Sequence, residues 1–343
     1  MAVIGQSNTF IHDLDASGGL ITGYSRNPKK FKIASYAQIT PAKKNAGFYL
    51  RVDQYNAMRL IGGNLDEFTW ADGNPRPVYH NNNVEFALSA FRTIRRNFNN
   101  TAGKLAVDQA DFKIGKIGEN ALAQKAMTAR TRQAMSVLAT SGNWDATHRK
   151  DVTTIPRGGL WSSALVTTPY IRIAVDFGIN QIMLDTGSTV SPDELNLVFN
   201  PTTAFLISQT QEVLDHIKQS PDAYSQLEGG SGKWSRYGLP NKLFGVNVEV
   251  EDAVMVTTAR GVTANPQYVM ADGIAYLLSR PGGIQGIADE PSFSTLTVFA
   301  KEEMTVETRT DDYNRLYESN IVDDTVAIVT APASGFAFLN LYS

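Results

Sequence analysis

The segment from Asn196 to Asp252 constrains the fold more than any other part of the chain, because it switches from a strand pattern to a helix pattern and back. The apolar run 196–199 predicts a short strand. Asn200-Pro201 then supplies a helix N-cap followed by proline at the first helical position, where the missing N–H has no cost. Apolar residues at helical spacing predict one helix over 202–218.

The core face of that helix is predicted to include Phe205, Leu206, Val213, Leu214 and Ile217. A glycine-rich loop follows at 229–232, and the stretch 243–253 returns as a strand. The segment therefore predicts the order strand, capped helix, loop, strand. Leu206 is expected in the core, so its replacement by aspartate would bury an unpaired charge and unfold this region.

The composition narrows the chemistry that the chain can perform. Its 343 residues are 43% apolar, enough for a sizeable core in one to three domains. It has no cysteine and four histidines, so we expect no disulfide, no thiolate site and no histidine-based metal site. No apolar run approaches the roughly 18 residues of a membrane helix, and the first residues lack a secretory signal pattern. We therefore expect no membrane partner and synthesis in a reducing cytoplasm.

Charge is distributed unevenly along the chain. Residues 1–150 hold 20 basic and 11 acidic residues, whereas the remainder holds 11 basic and 23 acidic residues. One interpretation is a solvated surface whose charges fall unevenly. The other is that copies of the chain pair head against tail, or that one face meets an anion such as DNA.

Residues 1–45 are predicted to form an arm. Turn-rich stretches separate its apolar residues, which are too numerous for a solvated tail and need a surface such as another copy of the chain. They are Phe10, Ile11, Leu14, Leu20, Ile21, Phe31, Ile33 and Tyr36. We expect a chain lacking residues 1–40 to fold but not to assemble. Residues 46–86, which include Trp70, are predicted as an extended hairpin that needs support from elsewhere.

Two further helices are predicted, over 108–140 with Asp108 as N-cap, and over 170–184. The first would span close to 50 Å at about 1.5 Å per residue, which suits a scaffold spine. Short strands are predicted in the last third of the chain, at 254–258, 268–270, 274–278, 296–299, 304–309, 326–329 and 336–339.

No catalytic or cofactor-binding constellation is found. Asp13, Asp15, Ser17 and Gly18 match the start of a calcium loop, but Tyr24 stands where the bidentate glutamate belongs. The glycine-rich stretch 229–233 lacks the first glycine and the Ser/Thr of a phosphate-binding loop. The pairs Asp311-Asp312 and Asp323-Asp324 are interpreted as solvated turn acids.

Two basic clusters are candidates for contact with DNA phosphates or with a neighbouring subunit, against the alternative of a solvated face. They consist of Lys29, Lys30 and Lys32, and of Arg92, Arg95 and Arg96. Any such contact with nucleic acid would be nonspecific, since no base-reading motif accompanies the clusters.

The order of these elements resembles the major capsid proteins of tailed bacteriophages, which have the Hong Kong 97-type capsid fold. The resemblance rests on "QKAMTARTRQAMSVLATSGNW", "LNLVFNPTTAFLISQTQEVL", "FGVNVEVEDAV" and the closing stretch from "STLTVFAKEEMTVETRTDD" to "GFAFLNLY". It implies an α+β fold with an N-terminal arm at 1–45 and an extended loop at 46–86. A peripheral domain would comprise 87–160 and 286–330 with the spine helix at about 108–140, and an axial domain 161–285 and 331–343.

The resemblance also implies a function. The chain would be a structural protein, not an enzyme, whose pentamers and hexamers form an icosahedral shell around double-stranded DNA in a virion. Partners would be other copies of the chain, packaged DNA, and scaffolding, cement and portal proteins. Candidate assembly contacts are Phe10, Ile11, Leu14, Phe31 and Trp70. Some relatives cross-link lysine to asparagine, and Lys43, Lys44 and Asn320 are residues of those types.

Two alternative functions remain open, one with a similar fold and one with a different class of fold. An encapsulin-like nanocompartment shell would have a similar fold and enclose a cargo enzyme. An α/β enzyme would use the Asn200-capped helix as an anion site, but the sequence offers no convergent polar groups for it.

Overall fold

The computed structural model describes residues 31–52, 86–103, 114–218, 237–259, 261–280 and 294–342. Helices in these ranges are α1 (Ile33–Tyr36), α2 (Ile114–Ala139), α3 (Tyr170–Asp185), α4 (Pro201–Ser208) and α5 (Gln211–Lys218). The first strands are β1 (Gln38–Pro41), β2 (Ala46–Val52), β3 (Phe86–Arg92), β4 (Ile94–Gly103), β5 (Arg149–Asp151), β6 (Leu195–Phe199), β7 (Lys242–Leu243) and β8 (Val246–Val250). The remaining strands are β9 (Val254–Val256), β10 (Pro266–Tyr268), β11 (Ala275–Ser279), β12 (Leu296–Asp311), β13 (Leu316–Val329) and β14 (Gly335–Leu339).

A six-stranded sheet with the order β5-β14-β11-β6-β8-β7 forms the centre of the described fold. All five residues of β6 are buried, and β6 pairs in parallel with β8, so the predicted strand–helix–strand unit is confirmed. The returning strand is shorter than predicted. Phe244 and Gly245 adopt positive φ angles of 51° and 86°, so the chain turns there and separates β7 from β8.

The predicted N-cap is confirmed, because the Asn200 side chain accepts a hydrogen bond from the Thr203 N–H at 2.8 Å. The single helix predicted over 202–218 is wrong, because the chain is interrupted after Ser208 and forms α4 and α5. The interruption changes which side chains are inside. Ile207 is fully buried, whereas Leu206 is only half-buried.

A second sheet has the order β1-β12-β13-β4, in which β13 is antiparallel to both of its neighbours, β12 and β4. The strands predicted at 296–299 and 304–309 are one continuous strand, β12, with register shifts between Ala300 and Thr305. Helix α2 packs along β13 and β4, where Leu122 and Ala126 form a small cluster with Ile321. With 26 residues, α2 is about 39 Å long; Asp108 lies outside the described residues.

The first described residues belong to the core instead of to a separate arm. Ile33 and Tyr36 are fully buried, and the Tyr36 hydroxyl donates to Glu251 Oε2 at 2.7 Å. Strand β1 then pairs in parallel with β12 from Thr297 to Ala300. Residues 31–41 thus pack against the rest of the described subunit, so we expect their removal to lower stability, while the arm boundary at residue 45 stays a prediction.

Strand β2 lies in the range predicted for the hairpin and pairs with β3 from Ala46–Arg92 to Val52–Phe86, but β3 lies almost entirely beyond the predicted end at residue 86. Phe91 of β3 stacks on Phe299 of β12, with ring centroids 4.2 Å apart, so the hairpin rests on the second sheet. Residues 53–85, including Trp70, lie outside the described residues. The division into peripheral and axial domains stays a prediction.

Helix α3, predicted over 170–184, is confirmed and packs against the central sheet. The close approach is made at Gly178, where an added Cβ would lie 2.9 Å from Phe338 Cζ. Trp161 is fully buried against Phe338 at a ring-centroid distance of 5.6 Å. One continuous core therefore includes the central sheet, α3 and the end of α2.

Candidate assembly surface

The long hairpin of β12 and β13 and the spine helix α2 form the most distinctive surface of the subunit. Met304 has a positive φ of 45° at the irregular part of β12. This bulge turns Glu303 toward Arg130 of α2 and lets Met304 pack against the Leu122 cluster. The bulge therefore marks the point where β12 leaves the core: the strand is buried up to Ala300, and beyond Met304 the residues from Thr305 to Thr310 are exposed.

A buried charge cluster fixes α2 to this hairpin. Arg130 donates to Glu303 Oε1 at 2.7 Å and to Asp323 Oδ1, and both Arg130 and Asp323 are buried. Burial lowers the pKa of Arg130, but hydrogen bonds and charge interactions with Asp323 and Glu303 outweigh it, so the net shift of this pKa is upward. The guanidinium is thus charged in the folded subunit and neutralises a buried carboxylate.

Arg96 of β4 lies at the border of the same cluster. Its guanidinium donates to Gln133 Oε1 at 2.7 Å and to Thr325 Oγ1 at 3.4 Å, and it lies 3.9 Å from Asp323 Oδ2. Burial lowers the pKa of Arg96, and the positive charge of Arg130 lowers it further. These two effects outweigh the negative charges of Asp323 and Asp324, which raise this pKa, so the net shift is downward. The Arg96 side chain is therefore engaged within the subunit.

The interpretation of Asp323 and Asp324 as solvated turn acids is wrong. Both residues are fully buried in the middle of β13. Asp323 faces Arg130, whereas neither carboxylate oxygen of Asp324 accepts a hydrogen bond from the residues that the structure describes. Apolar neighbours on both sides, Ile321-Val322 and Val326, were the signal in the sequence that these acids lie inside a strand.

The tip of the hairpin is an ordered turn that presents an aromatic ring. Tyr313 is 96% exposed. The Asp311 carboxylate accepts from the backbone N–H groups of Tyr313 and Asn314 and from the Asn314 side chain, and these bonds lower the pKa of Asp311. An exposed aromatic residue on a hydrogen-bonded turn is well suited to anchor a protein contact.

Other exposed apolar side chains lie on two further hairpins. Phe48 of β2 is 73% exposed, and Val254, Val256 and Val262 of the β9–β10 region are all exposed. An isolated two-stranded hairpin needs a neighbour for stability, so these surfaces suit contact with another chain.

The candidate residues named from the sequence are distributed as follows. Phe10, Ile11, Leu14, Lys29, Lys30 and Trp70 lie outside the described residues. Phe31 is 7% exposed and packs in the subunit core, so little of its ring remains for a neighbour. Arg92 is exposed at the end of β3. Lys32 pairs with Glu249 and Arg95 with Glu302, each at 3.1 Å. A role for these basic residues toward DNA or a neighbouring subunit stays a prediction.

Sequence reasoning missed a second buried polar junction. His148 is buried with Nε2 2.5 Å from Asp185 Oδ2 and Nδ1 2.7 Å from the Gly335 carbonyl. It joins the C-terminus of α3 to the start of β14. A lone histidine without a motif gave no signal of this contact in the sequence.

Within the described ranges, no group of three or more His, Cys, Asp or Glu side chains is placed to hold a metal ion. None of the helices in the described part of the chain is long and apolar enough to span a membrane. The glycine-rich stretch 229–233 and the calcium-like turn at Asp13 lie outside the described residues.

Comparison of the sequence with protein-family models and with curated proteins finds no match. Comparison of the fold with solved structures finds capsids. A phage-related protein from Bordetella bronchiseptica has a TM-score of 0.61 and 13% identity, covering 93% of this chain and 94% of that chain. The capsid of the native GTA particle has a TM-score of 0.53 and 12% identity, covering 94% and 93%. The capsid of cyanophage P-SCSP1u has a TM-score of 0.54 and 11% identity, covering 94% and 91%.

The chain therefore has the mixed α and β fold of phage capsid proteins, the Hong Kong 97-type fold. The similarity extends over nearly the full length of both partners in each comparison. The fold class predicted from the sequence is confirmed.

Proposed function

We propose that this chain is the major capsid protein of a tailed phage. Copies of it assemble into pentamers and hexamers of an icosahedral shell that encloses double-stranded DNA. The observation that carries the proposal is the fold similarity to capsid structures over 93–94% of the chain. The role is structural and not enzymatic, and the chain resides in the virion after synthesis in the host cytoplasm.

Exposed surfaces of the subunit support self-assembly. Phe48, Val256, Val306 and Tyr313 are all more than half exposed on hairpins that project from the core. Obligate assemblies bury above about 2,000 Å² at such contacts. Scaffolding, cement and portal proteins and packaged DNA are the further partners that we propose, with Lys29, Lys30 and Arg92 among the residues that would face DNA or a neighbour.

Negative-stain electron microscopy of the purified chain, alone and co-expressed with the products of neighbouring genes, tests the proposal. Closed shells, or rings of five and six subunits, are the expected result. A small monodisperse particle under every condition would contradict it. Shells that enclose a protein cargo instead of DNA would favour the nanocompartment alternative.

A further inference from the structure

A buried histidine joins three elements at the place where the chain crosses from one sheet to the other. His148 directly precedes β5, and only 1% of its side chain is exposed. Its backbone carbonyl accepts from the Ala337 N–H of β14 at 2.8 Å. The chain passes from β13 of the second sheet to β14 of the central sheet through residues 330–334. The ring of His148 faces Gly335, the first residue of β14, so it holds the point where the chain enters the central sheet.

Both ring nitrogens of His148 face oxygen atoms that accept hydrogen bonds. Nδ1 lies 2.7 Å from the Gly335 carbonyl oxygen, and Nε2 lies 2.5 Å from Asp185 Oδ2. A neutral imidazole has one N–H and can donate only one of these two bonds, because a carbonyl and a carboxylate have no hydrogen to give in return. The two contacts therefore require two hydrogens. Imidazole is a stronger base than a carboxylate, so both hydrogens belong to the ring.

The position of Asp185 also favours a positively charged ring. Asp185 is the last residue of α3, and the partial negative charge of a helix C-terminus makes a carboxylate unfavourable there unless a cation lies beside it. The Gln181 side chain donates to Asp185 Oδ2 at 2.8 Å and so helps to fix the orientation of the carboxylate. A doubly protonated His148 supplies the cation that this helix end requires.

The charged groups around the ring come from few places. On α3, Asp185 is the charged residue whose side chain contacts the ring. Strand β14, which packs against the ring, contains no charged residue. In its own segment His148 is followed by Arg149 and Lys150, and its N–H donates to the backbone carbonyl of Asp145. Within the described part of the chain, Asp185 is therefore the charged group that hydrogen-bonds to the ring.

We infer that His148 and Asp185 form a pH-sensitive latch, in which a doubly protonated imidazole ties the end of α3 to the start of β14. Loss of one proton leaves either the Gly335 carbonyl or the Asp185 carboxylate without its hydrogen in a buried site, which is unfavourable. The latch is therefore complete in mildly acidic solution and is lost as the pH rises. It acts within one subunit and does not depend on the proposed shell.

NMR of unassembled subunits in which the histidines are labelled with nitrogen-15 detects the ring hydrogens directly. The chain has four histidines, and the His148 signals are those that remain when His12, His80 and His216 are replaced by glutamine. Both ring nitrogens of His148 should carry hydrogen at about pH 7.5, where a solvated imidazole is mostly neutral. A bare nitrogen in the His148 ring at this pH would overturn the latch.

Urea denaturation across a range of pH measures what the second proton contributes to stability. The contribution is complete below about pH 6.5, where the histidine of the unfolded chain is protonated as well, and it shrinks above that pH. The urea midpoint of the wild type should therefore fall between about pH 6 and about pH 9, below the range in which tyrosine and lysine ionise. A wild-type midpoint that stays constant over this range would overturn the latch.

Two variants assign the fall in midpoint to the latch. Asp185→Asn should remove at least half of it, because the amide can donate to Nε2 of a neutral ring while Nδ1–H still donates to Gly335. His216→Gln removes an exposed histidine and is the control, which should keep the full fall. Equal falls in the wild type and in Asp185→Asn would overturn the latch. The NMR measurement decides the question if Asp185→Asn does not fold, since it leaves His148 and Asp185 unchanged.

Discussion

Arg130 of α2 and Asp323 of β13 form an ion pair in which both side chains are almost completely removed from solvent, with exposures of 1% and 0%. Glu303 completes the arrangement at 2.7 Å from the same guanidinium. Because a buried charge is strongly unfavourable without its partner, this pair requires α2 and β13 to meet in one register.

Arg130→Met is expected to lower the free energy of unfolding by about 3–5 kcal/mol, because it leaves Asp323 buried without a counter-charge. Urea denaturation of the subunit measures the change. Arg132→Met, on the exposed side of the same helix, is the matched control. Adding Asp323→Asn to Arg130→Met should recover part of the loss, and a loss equal to that of the control would refute the role of the pair.

Ile207→Ala should destabilise the subunit by about 2–5 kcal/mol, because it creates a cavity in the core. Leu206→Ala should cost clearly less, since Leu206 is half-buried and Ile207 is fully buried. Thermal unfolding of both variants compares two neighbouring positions in one short helix. Equal losses would mean that α4 is rotated relative to the structure described.

Gly178→Val is expected to lower the free energy of unfolding by roughly 1–3 kcal/mol through overpacking. A Cβ at this position would lie 2.9 Å from Phe338 Cζ and 3.4 Å from Phe336 Cγ. Glycine therefore allows α3 to approach the sheet closely, and a larger side chain would push the two apart. Gly142→Val is the control, because no atom lies within 4 Å of a Cβ built there. Chemical denaturation that finds the two variants alike would contradict the close helix–sheet contact.

The buried phenol of Tyr276 predicts a loss of stability at alkaline pH. Burial raises the pKa of Tyr276 to about 12. The unfolded tyrosine, with a pKa of about 10, releases its proton first, so the stabilising contribution is complete below pH 10 and is lost as pH rises from about 10 through 12. The free energy of unfolding, measured across this pH window, should fall more steeply for the wild type than for Tyr276→Phe. Identical slopes would place the hydroxyl in contact with water.

Truncation separates folding from assembly. A chain lacking residues 1–30 should keep the unfolding midpoint of the subunit, because the described core begins at Phe31, and should fail to form shells if those residues contact neighbours. A chain lacking residues 1–40 should unfold at lower denaturant, since it loses Ile33, Tyr36 and most of β1. Circular dichroism and electron microscopy of both variants make the comparison. Normal shells from the first variant would exclude the arm from assembly.

Local patterns predicted much of the fold because their causes are local. The Asn200-Pro201 cap, helix α3 and strands β6, β11 and β14 each follow from a few consecutive residues. The break between α4 and α5 and the turn at Phe244-Gly245 were missed, because apolar spacing continues across both. The exposed side chains of the candidate assembly surface were harder to predict, since the exposure of a side chain depends on which helices and strands pack against it.

The sequence by itself determined the Asn200 cap, helix α3 and strands β6, β11 and β14, because periodicity and residue type are properties of the chain. The class of fold followed from the resemblance of the element order to phage capsid proteins, and strands β1, β4 and β5 were not predicted. Only the tertiary structure decided that Asp323 and Asp324 are buried and that residues 31–41 pack in the core. These features depend on which segments pack against each other across long separations in the chain. The pattern within one segment does not specify which other segment packs against it, so burial is decided only when the sheets and α2 pack together.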